Sequence, residues 1–92
     1  MEYIKDAGDV IKSIGGSDSL STTAVTVAVN GCKVTVKSLT GNVWLSPLGT
    51  AVADETAWQL EEGEDITLVV PGTLSLISNG DGATYQYIIW RG

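Results

Sequence analysis

The segment AVTVAVNGCKVTVK, residues 24–37, carries the clearest structural signal in the sequence. Apolar and polar residues alternate on both sides of Asn30-Gly31, a pair that favours a tight turn because both positions tolerate positive φ. Pairing the two halves across this turn places the large apolar residues on one face, whereas a one-residue slip would scatter them over both. The segment therefore predicts a β-hairpin over residues 23–38, with these residues facing inward: Val25, Val27, Val29, Val34 and Val36.

Further short strands are predicted beyond this hairpin, each bounded by turn residues. Residues 51–62 fit either a short helix capped by Asp54 or a strand at 56–60, and the strand is favoured because Glu61–Glu64 then forms a turn. The other runs cover residues 43–46, 66–70, 74–77 and 84–90. Six or seven short strands predict an all-β fold, a single small antiparallel β-sandwich or jelly-roll-like domain.

The first 20 residues differ from the rest of the chain. The apolar pairs Tyr3-Ile4 and Val10-Ile11 stand among charged residues, and a polar, glycine-containing stretch follows at 15–19. We expect either an N-terminal arm or an edge strand at 1–20, ahead of a β-sandwich domain at 21–92. An arm with so few large apolar side chains buries too little surface to offset its ordering entropy, so it would order only against a partner.

Composition excludes several classes of function. Among 92 residues, five are basic and eleven acidic, which gives a net charge of −6. This balance repels phosphate backbones, so nucleic acid is not an expected partner. The sequence has no run of about 18 apolar residues and no secretory signal pattern, so we expect no membrane span. Histidine is absent and Cys32 is the single cysteine, so neither an internal disulfide nor the usual zinc site is expected.

No catalytic arrangement is visible either. Without histidine, a nucleophile would need a lysine or carboxylate as its base, and none is well placed. Cys32 follows the turn on the inward face, where a thiol acts as a small hydrophobe. Residues 54–65 hold six of the eleven acids, but their spacing matches no calcium loop and fits solvated turns. We expect no metal, no cofactor and no enzymatic activity.

The aromatic residues suggest packing and association. Trp44 and Trp58 are predicted to pack in or near the core, although exposed tryptophans could instead form a platform for sugars. In the last strand, Ile88 and Trp90 alternate with inward-facing neighbours, so both faces of this strand are apolar. One of those faces requires a cover, and a second copy or a larger partner is the economical one. Ile88 and Trp90 are therefore the candidate oligomer interface.

Three stretches carry a resemblance to a known class of proteins: VTVKSLTGNVWL at 34–45, LEEGEDITL at 60–68 and YQYIIW at 85–90. Together they resemble small virion-accessory proteins of tailed bacteriophages, in particular capsid decoration (cement) proteins. Such proteins are β-sandwiches or jelly rolls, often homotrimers, that bind the outer capsid surface and stabilise the head. No catalytic residue belongs to this class.

The resemblance implies a virion structural protein on the capsid exterior, made in the host bacterial cytoplasm. Its expected partners are the major capsid protein and further copies of itself in a homotrimer. The candidate capsid contacts lie in the arm, at Tyr3, Ile4, Val10 and Ile11. A phage tail or neck accessory protein and a host-glycan-binding β-sandwich module are the alternatives.

Overall fold

The computed structural model describes residues 10–80 and 82–91 and shows an all-β chain of eight strands. No helix within these residues is long and apolar enough to cross a membrane. The strands are β1 Val10–Leu20, β2 Val25–Ala28, β3 Lys33–Thr40, β4 Val43–Ser46, β5 Trp58–Leu60, β6 Asp65–Val69, β7 Thr73–Ile77 and β8 Ala83–Arg91.

The strands form two four-stranded antiparallel sheets. Sheet A has the order β1-β8-β3-β6, and sheet B has the order β2-β7-β4-β5. Eight strands in two sheets, with nearly every connection crossing from one sheet to the other, make the double-sheet arrangement of a jelly roll. The predicted small β-sandwich with jelly-roll character is thus confirmed.

The inner faces of both sheets meet in one apolar core. Val34 and Val36 from sheet A and Leu74 and Leu76 from sheet B are fully buried there. The serine at position 38 is also fully buried, and its hydroxyl donates to the carbonyl oxygen of Gly41 at 2.7 Å. Alternation along each strand therefore fills the space between the sheets with side chains, as expected for packed β-sandwiches.

The predicted hairpin at 23–38 is wrong in its pairing, although its turn is right. Asn30 and Gly31 have φ values of 54° and 86°, and the Cys32 amide donates to the Val29 carbonyl oxygen at 3.2 Å. The strands on either side of this turn belong to different sheets: β2 pairs with β7, and β3 pairs with β6 and β8. The valines of both strands still face the core, except that Val25 is 38% exposed at the rim.

The physical reason lies in the two inner faces of a sandwich. Both faces require the same apolar alternation, so the pattern fixes which side chains face inward without fixing which strand is the neighbour. The residues of this turn instead form hydrogen bonds with residues 70–72, where the chain crosses from β6 in sheet A to β7 in sheet B. Backbone amides of Val29 and Asn30 donate to the Gly72 carbonyl oxygen at 3.0 and 2.8 Å, and that of Gly31 donates to Val70 at 2.8 Å.

These two crossings form a corner, defined by residues 29–32 and 70–72. The ladder β2–β7 runs to the pair Ala28–Thr73, and the ladder β3–β6 resumes at Lys33–Val69. Four residues on one strand therefore face three on the other, which is the count of a β-bulge, and bulges bend paired strands. One antiparallel ribbon thus folds over the corner and contributes to both sheets.

The remaining sequence alternatives are resolved as follows. Between residues 51 and 62 the chain forms the short strand β5, not a helix. Residues 10–20 form β1, which is the edge strand of sheet A beside β8. Gly15 lies in this strand because a Cβ there would overlap the ring of Tyr87 on β8. Glycine inside a strand marks such close approaches.

Candidate functional site: the outer face of sheet A

The outer face of sheet B is covered by the chain itself. The connection between β4 and β5, residues 47–57, folds back over this face, where Trp44 and Ile77 pack against Ala51. Its anchor is a buried hydrogen bond in which the Ala51 amide donates to Ser75 Oγ at 2.9 Å. As a result Trp44 is only 8% exposed. The prediction that Trp44 packs in or near the core is confirmed.

The outer face of sheet A carries apolar side chains that reach solvent. Strand β8 places Ile88 and Trp90 on this face, both partly exposed, while Tyr85 and Ile89 face the core. Strand β6 adds Val69, which is 65% exposed. The alternation in the last strand therefore predicted correctly that both of its faces are apolar.

A chain of polar contacts crosses this face. The indole N–H of Trp90 donates to Thr35 Oγ1 at 2.9 Å, and the same hydroxyl lies 2.8 Å from Thr67 Oγ1 on the next strand. Lys33 Nζ lies 5.8 Å from the centre of the Trp90 ring, within cation–π range. The tryptophan is thereby fixed from two sides, which lowers the entropy that it would lose on meeting a partner.

The predicted arm and the predicted oligomer interface meet at one place in the fold. Ile11 is the backbone partner of Trp90, and Val10 is that of Arg91. Ile14 pairs in the same way with Ile88. Two groups that were predicted separately therefore occupy neighbouring strands of sheet A. The other two predicted arm residues, Tyr3 and Ile4, lie outside the described residues.

Three of the six acidic residues at 54–65 accept hydrogen bonds from backbone amides. Glu62 Oε1 accepts from the Gly41 amide at 2.9 Å, and Glu64 Oε1 accepts from the Glu61 amide at 2.7 Å. Asp54 Oδ1 accepts from the hydroxyl and the amide of Thr56, and these bonds, the hydroxyl first, lower the pKa of Asp54. Within residues 10–80 and 82–91, no three acidic, cysteine or histidine side chains lie together where a metal ion could bind.

The sequence did not reveal a second exposed apolar region, the segment 48–58. Trp58 was expected to pack in or near the core but is 61% exposed at the free edge of sheet B. Leu48 is 89% exposed, and Val52 is exposed as well. The acidic neighbours Asp54 and Glu55 were the available signal, since charged residues seldom flank a core segment.

A surface groove of about 300 Å³ lies between this segment and sheet B. Its walls are small and carry hydroxyl groups: Ala24, Thr26, Gly49, Thr50, Thr73 and Ser75. The only one of these hydroxyls that is buried, that of Ser75, is already engaged by the Ala51 amide. The groove therefore presents few directed polar groups to a ligand.

Comparison with known proteins supports the fold. No protein-family model matches the sequence, and no curated protein matches it. Two crystal structures share the architecture. One, a structural-genomics protein of unknown function from Rhizobium leguminosarum bv. viciae 3841, has a TM-score of 0.59 at 16% identity and covers 100% of both chains. The other, protein NMB1881 from Neisseria meningitidis, has a TM-score of 0.58 at 12% identity over 94% of this chain and 88% of that one. At these identities the similarity concerns the fold alone.

Proposed function

We propose that the chain is a bacteriophage virion structural protein, a non-enzymatic capsid decoration protein that binds the capsid exterior and associates with itself, as a homotrimer. The observation that carries the proposal is the outer face of sheet A, where Trp90, Ile88 and Val69 reach solvent from a stiff sheet. Exposed apolar side chains grouped in this way are typical of protein interaction surfaces.

Two further features support this proposal. A jelly roll is an architecture found in viral capsid proteins, although many other functions use it too. The backbone of β1 brings Val10 and Ile11 beside β8, so the proposed capsid contacts and the proposed oligomer contacts lie next to each other. The edge strand β1 can then contact a capsid subunit while the outer face of sheet A contacts another copy, and several weak contacts add through high effective concentration.

The test uses phage heads that lack this chain. Purified protein is added to such heads, and bound copies are counted after sedimentation. We expect binding to saturate at a fixed number of copies per head and to raise the temperature at which heads release DNA. A variant without residues 2–9 leaves β1 intact, so it should retain the thermal midpoint of the free protein. It should nevertheless bind heads weakly, because it lacks the proposed contacts Tyr3 and Ile4. Failure of the full chain to bind heads, or density for it on the tail alone, would contradict the proposal.

A glycan-binding module is the second candidate, and the exposed Trp58 favours it. A flat aromatic face at a sheet edge can stack on a sugar ring, and lectin domains also use the jelly roll. The discriminating measurement is binding of the isolated protein to an array of bacterial surface polysaccharides. Binding that is lost in Trp58→Ala and kept in Trp90→Ala would support this candidate over the decoration protein.

A further inference from the structure

We propose that the outer face of sheet A docks onto segment 48–58 of a second copy of this chain, so that copies associate head to tail. This inference rests on the self-association in the proposed function. It names the second contact surface that a homotrimer requires. A face that meets its own equivalent makes a two-fold dimer, whereas a closed ring of three repeats a contact between two different surfaces. A homotrimer therefore requires a second patch besides Ile88 and Trp90.

Segment 48–58 has the composition of such a patch. Half of the large apolar residues that the structure shows as exposed fall within it, namely Leu48, Val52 and Trp58. Tryptophan is the residue type most enriched among the energetic anchors of interfaces. Since Trp58 lies on β5 in sheet B, its surface is distinct from the outer face of sheet A.

The segment is also held in place before any partner arrives. Ala51 is buried, and its amide is bound to Ser75 Oγ at 2.9 Å. Ala53 and Ala57 pack against the cluster formed by Trp44 and Ile77. A surface anchored at several points along its length loses little freedom on binding, which favours association.

Charge complementarity supports head-to-tail contact between copies. Of the side chains that the structure describes, the two with positive charge, Lys33 and Lys37, stand in outward register positions on β3. Asp65 is opposite Lys37. Segment 48–58 presents Asp54 and Glu55, both exposed. Head-to-tail docking brings these lysines to the two carboxylates of the segment, and such complementarity sets the orientation of a complex.

The experiment is a complementation test with two charge-introducing variants. Val69→Asp disables the outer face of sheet A, and Trp58→Asp disables the segment. Leu48→Asp is a second segment variant in case Trp58→Asp fails to fold, and Val25→Asp, exposed on β2 at the opposite edge of sheet B from β5, is the matched control. Thermal unfolding establishes that each variant is folded, and sedimentation velocity reports its association.

We expect the wild type and Val25→Asp to form the same oligomer, and each disabled variant to associate at least about tenfold more weakly, the effect of one lost anchor. An equimolar mixture of Val69→Asp and Trp58→Asp should form a 1:1 dimer and nothing larger. Each pair keeps one intact contact, between the sheet face of one variant and the segment of the other.

Two outcomes would overturn the inference. If Trp58→Asp and Leu48→Asp associate like the wild type while Val69→Asp does not, the contact joins like faces. If the wild type is a monomer at high micromolar concentration, a second copy is not the occupant. Binding of the same proteins to phage heads separates the two proposals: a monomer that still decorates heads overturns this inference alone, and a head-to-tail oligomer that ignores heads overturns the proposed function alone.

Discussion

Trp44 and Trp90 hold equivalent positions in the two sheets. Each lies on the outer face of a strand with neighbours on both sides, β4 in sheet B and β8 in sheet A. Trp44 is buried because residues 47–57 return over it, whereas Trp90 is partly exposed and is held by Thr35 and Lys33. The outer face of sheet B is thus covered by a connection of the same chain, whereas the outer face of sheet A stays partly exposed at Trp90. The difference follows from the course of the chain, since residues 47–57 pack over the outer face of sheet B.

The largest effect should come from removing the covered tryptophan. Trp44→Ala leaves a cavity between sheet B and the 47–57 connection, and we expect it to lower the free energy of unfolding by about 3–5 kcal/mol. Trp90→Ala removes a partly exposed ring and should cost about 1–2 kcal/mol from lost burial. Urea unfolding followed by circular dichroism measures both. Equal losses would show that the two faces are equally covered.

The next prediction tests the hydrogen bond that anchors residues 47–57 over the outer face of sheet B. Ser75→Ala removes the acceptor of the buried Ala51 amide, and an unsatisfied buried donor should cost about 1–3 kcal/mol. The cover should loosen with it, which faster hydrogen exchange at the Ala51 amide would report. Ser46→Ala is the matched control, because Ser46 is the neighbour of Ser75 across the ladder and accepts only a long, exposed bond of 3.4 Å from Leu48. Similar exchange in both variants would argue against the anchor.

An effect of similar size is expected where the chain crosses from one sheet to the other. Gly31 has φ of +86° and open space around it, so Gly31→Val meets only backbone strain, at about 1–3 kcal/mol. Gly72 faces it in the same corner, also with open space but without a positive φ, so Gly72→Val should change stability less. The thermal midpoints of the two variants provide the measurement, and a midpoint unchanged by Gly31→Val would contradict the turn geometry.

The smallest effect concerns the acidic end of the cover. Hydrogen bonds from Thr56 lower the pKa of Asp54, so their stabilisation is present above the unfolded-state pKa and is lost as the pH falls through the lower folded-state pKa. Thr56→Ala should raise the pKa of Asp54 towards its ordinary value, and the stability difference from the wild type that this bond causes should be present at neutral pH and vanish in acid. Nuclear magnetic resonance titration of the carboxyl carbon measures this, with Thr50→Ala as control. An unchanged pKa of Asp54 in Thr56→Ala would contradict the hydrogen bond from the Thr56 hydroxyl as the main cause of the lowered pKa.

The sequence predicted which way the side chains of a strand face better than it predicted which strands pair. Alternation in β3 and β8 correctly assigned Val34, Val36, Ile88 and Trp90 to inner and outer faces, because side-chain direction is a local property of a strand. The partner of β2 was assigned wrongly, since the pairing of β2 with β7 depends on residues about fifty positions away. Turn chemistry at Asn30-Gly31 is equally local, and its positive φ values were correct.

The candidate site shows the same division. Ile88 and Trp90 could be found from the period of one strand. The exposure of Trp58 could not, because apolar alternation at 58–60 looks the same in a central strand and at a free edge. Which tryptophan receives a cover depends on where the 47–57 connection lies, and that is settled by its packing on Ile77, far away in the sequence.

The jelly-roll order also constrains how the chain can be made. Of the six strand pairings among the described residues, only that of β4 with β5 joins consecutive strands. Few local contacts mean slow folding, on the order of milliseconds to seconds. Because β8 lies between β1 and β3, sheet A cannot close until β8 has left the ribosome. The edges of β1 and β3 that pair with β8 therefore stay open until β8 has emerged, whereas every strand of sheet B precedes β8.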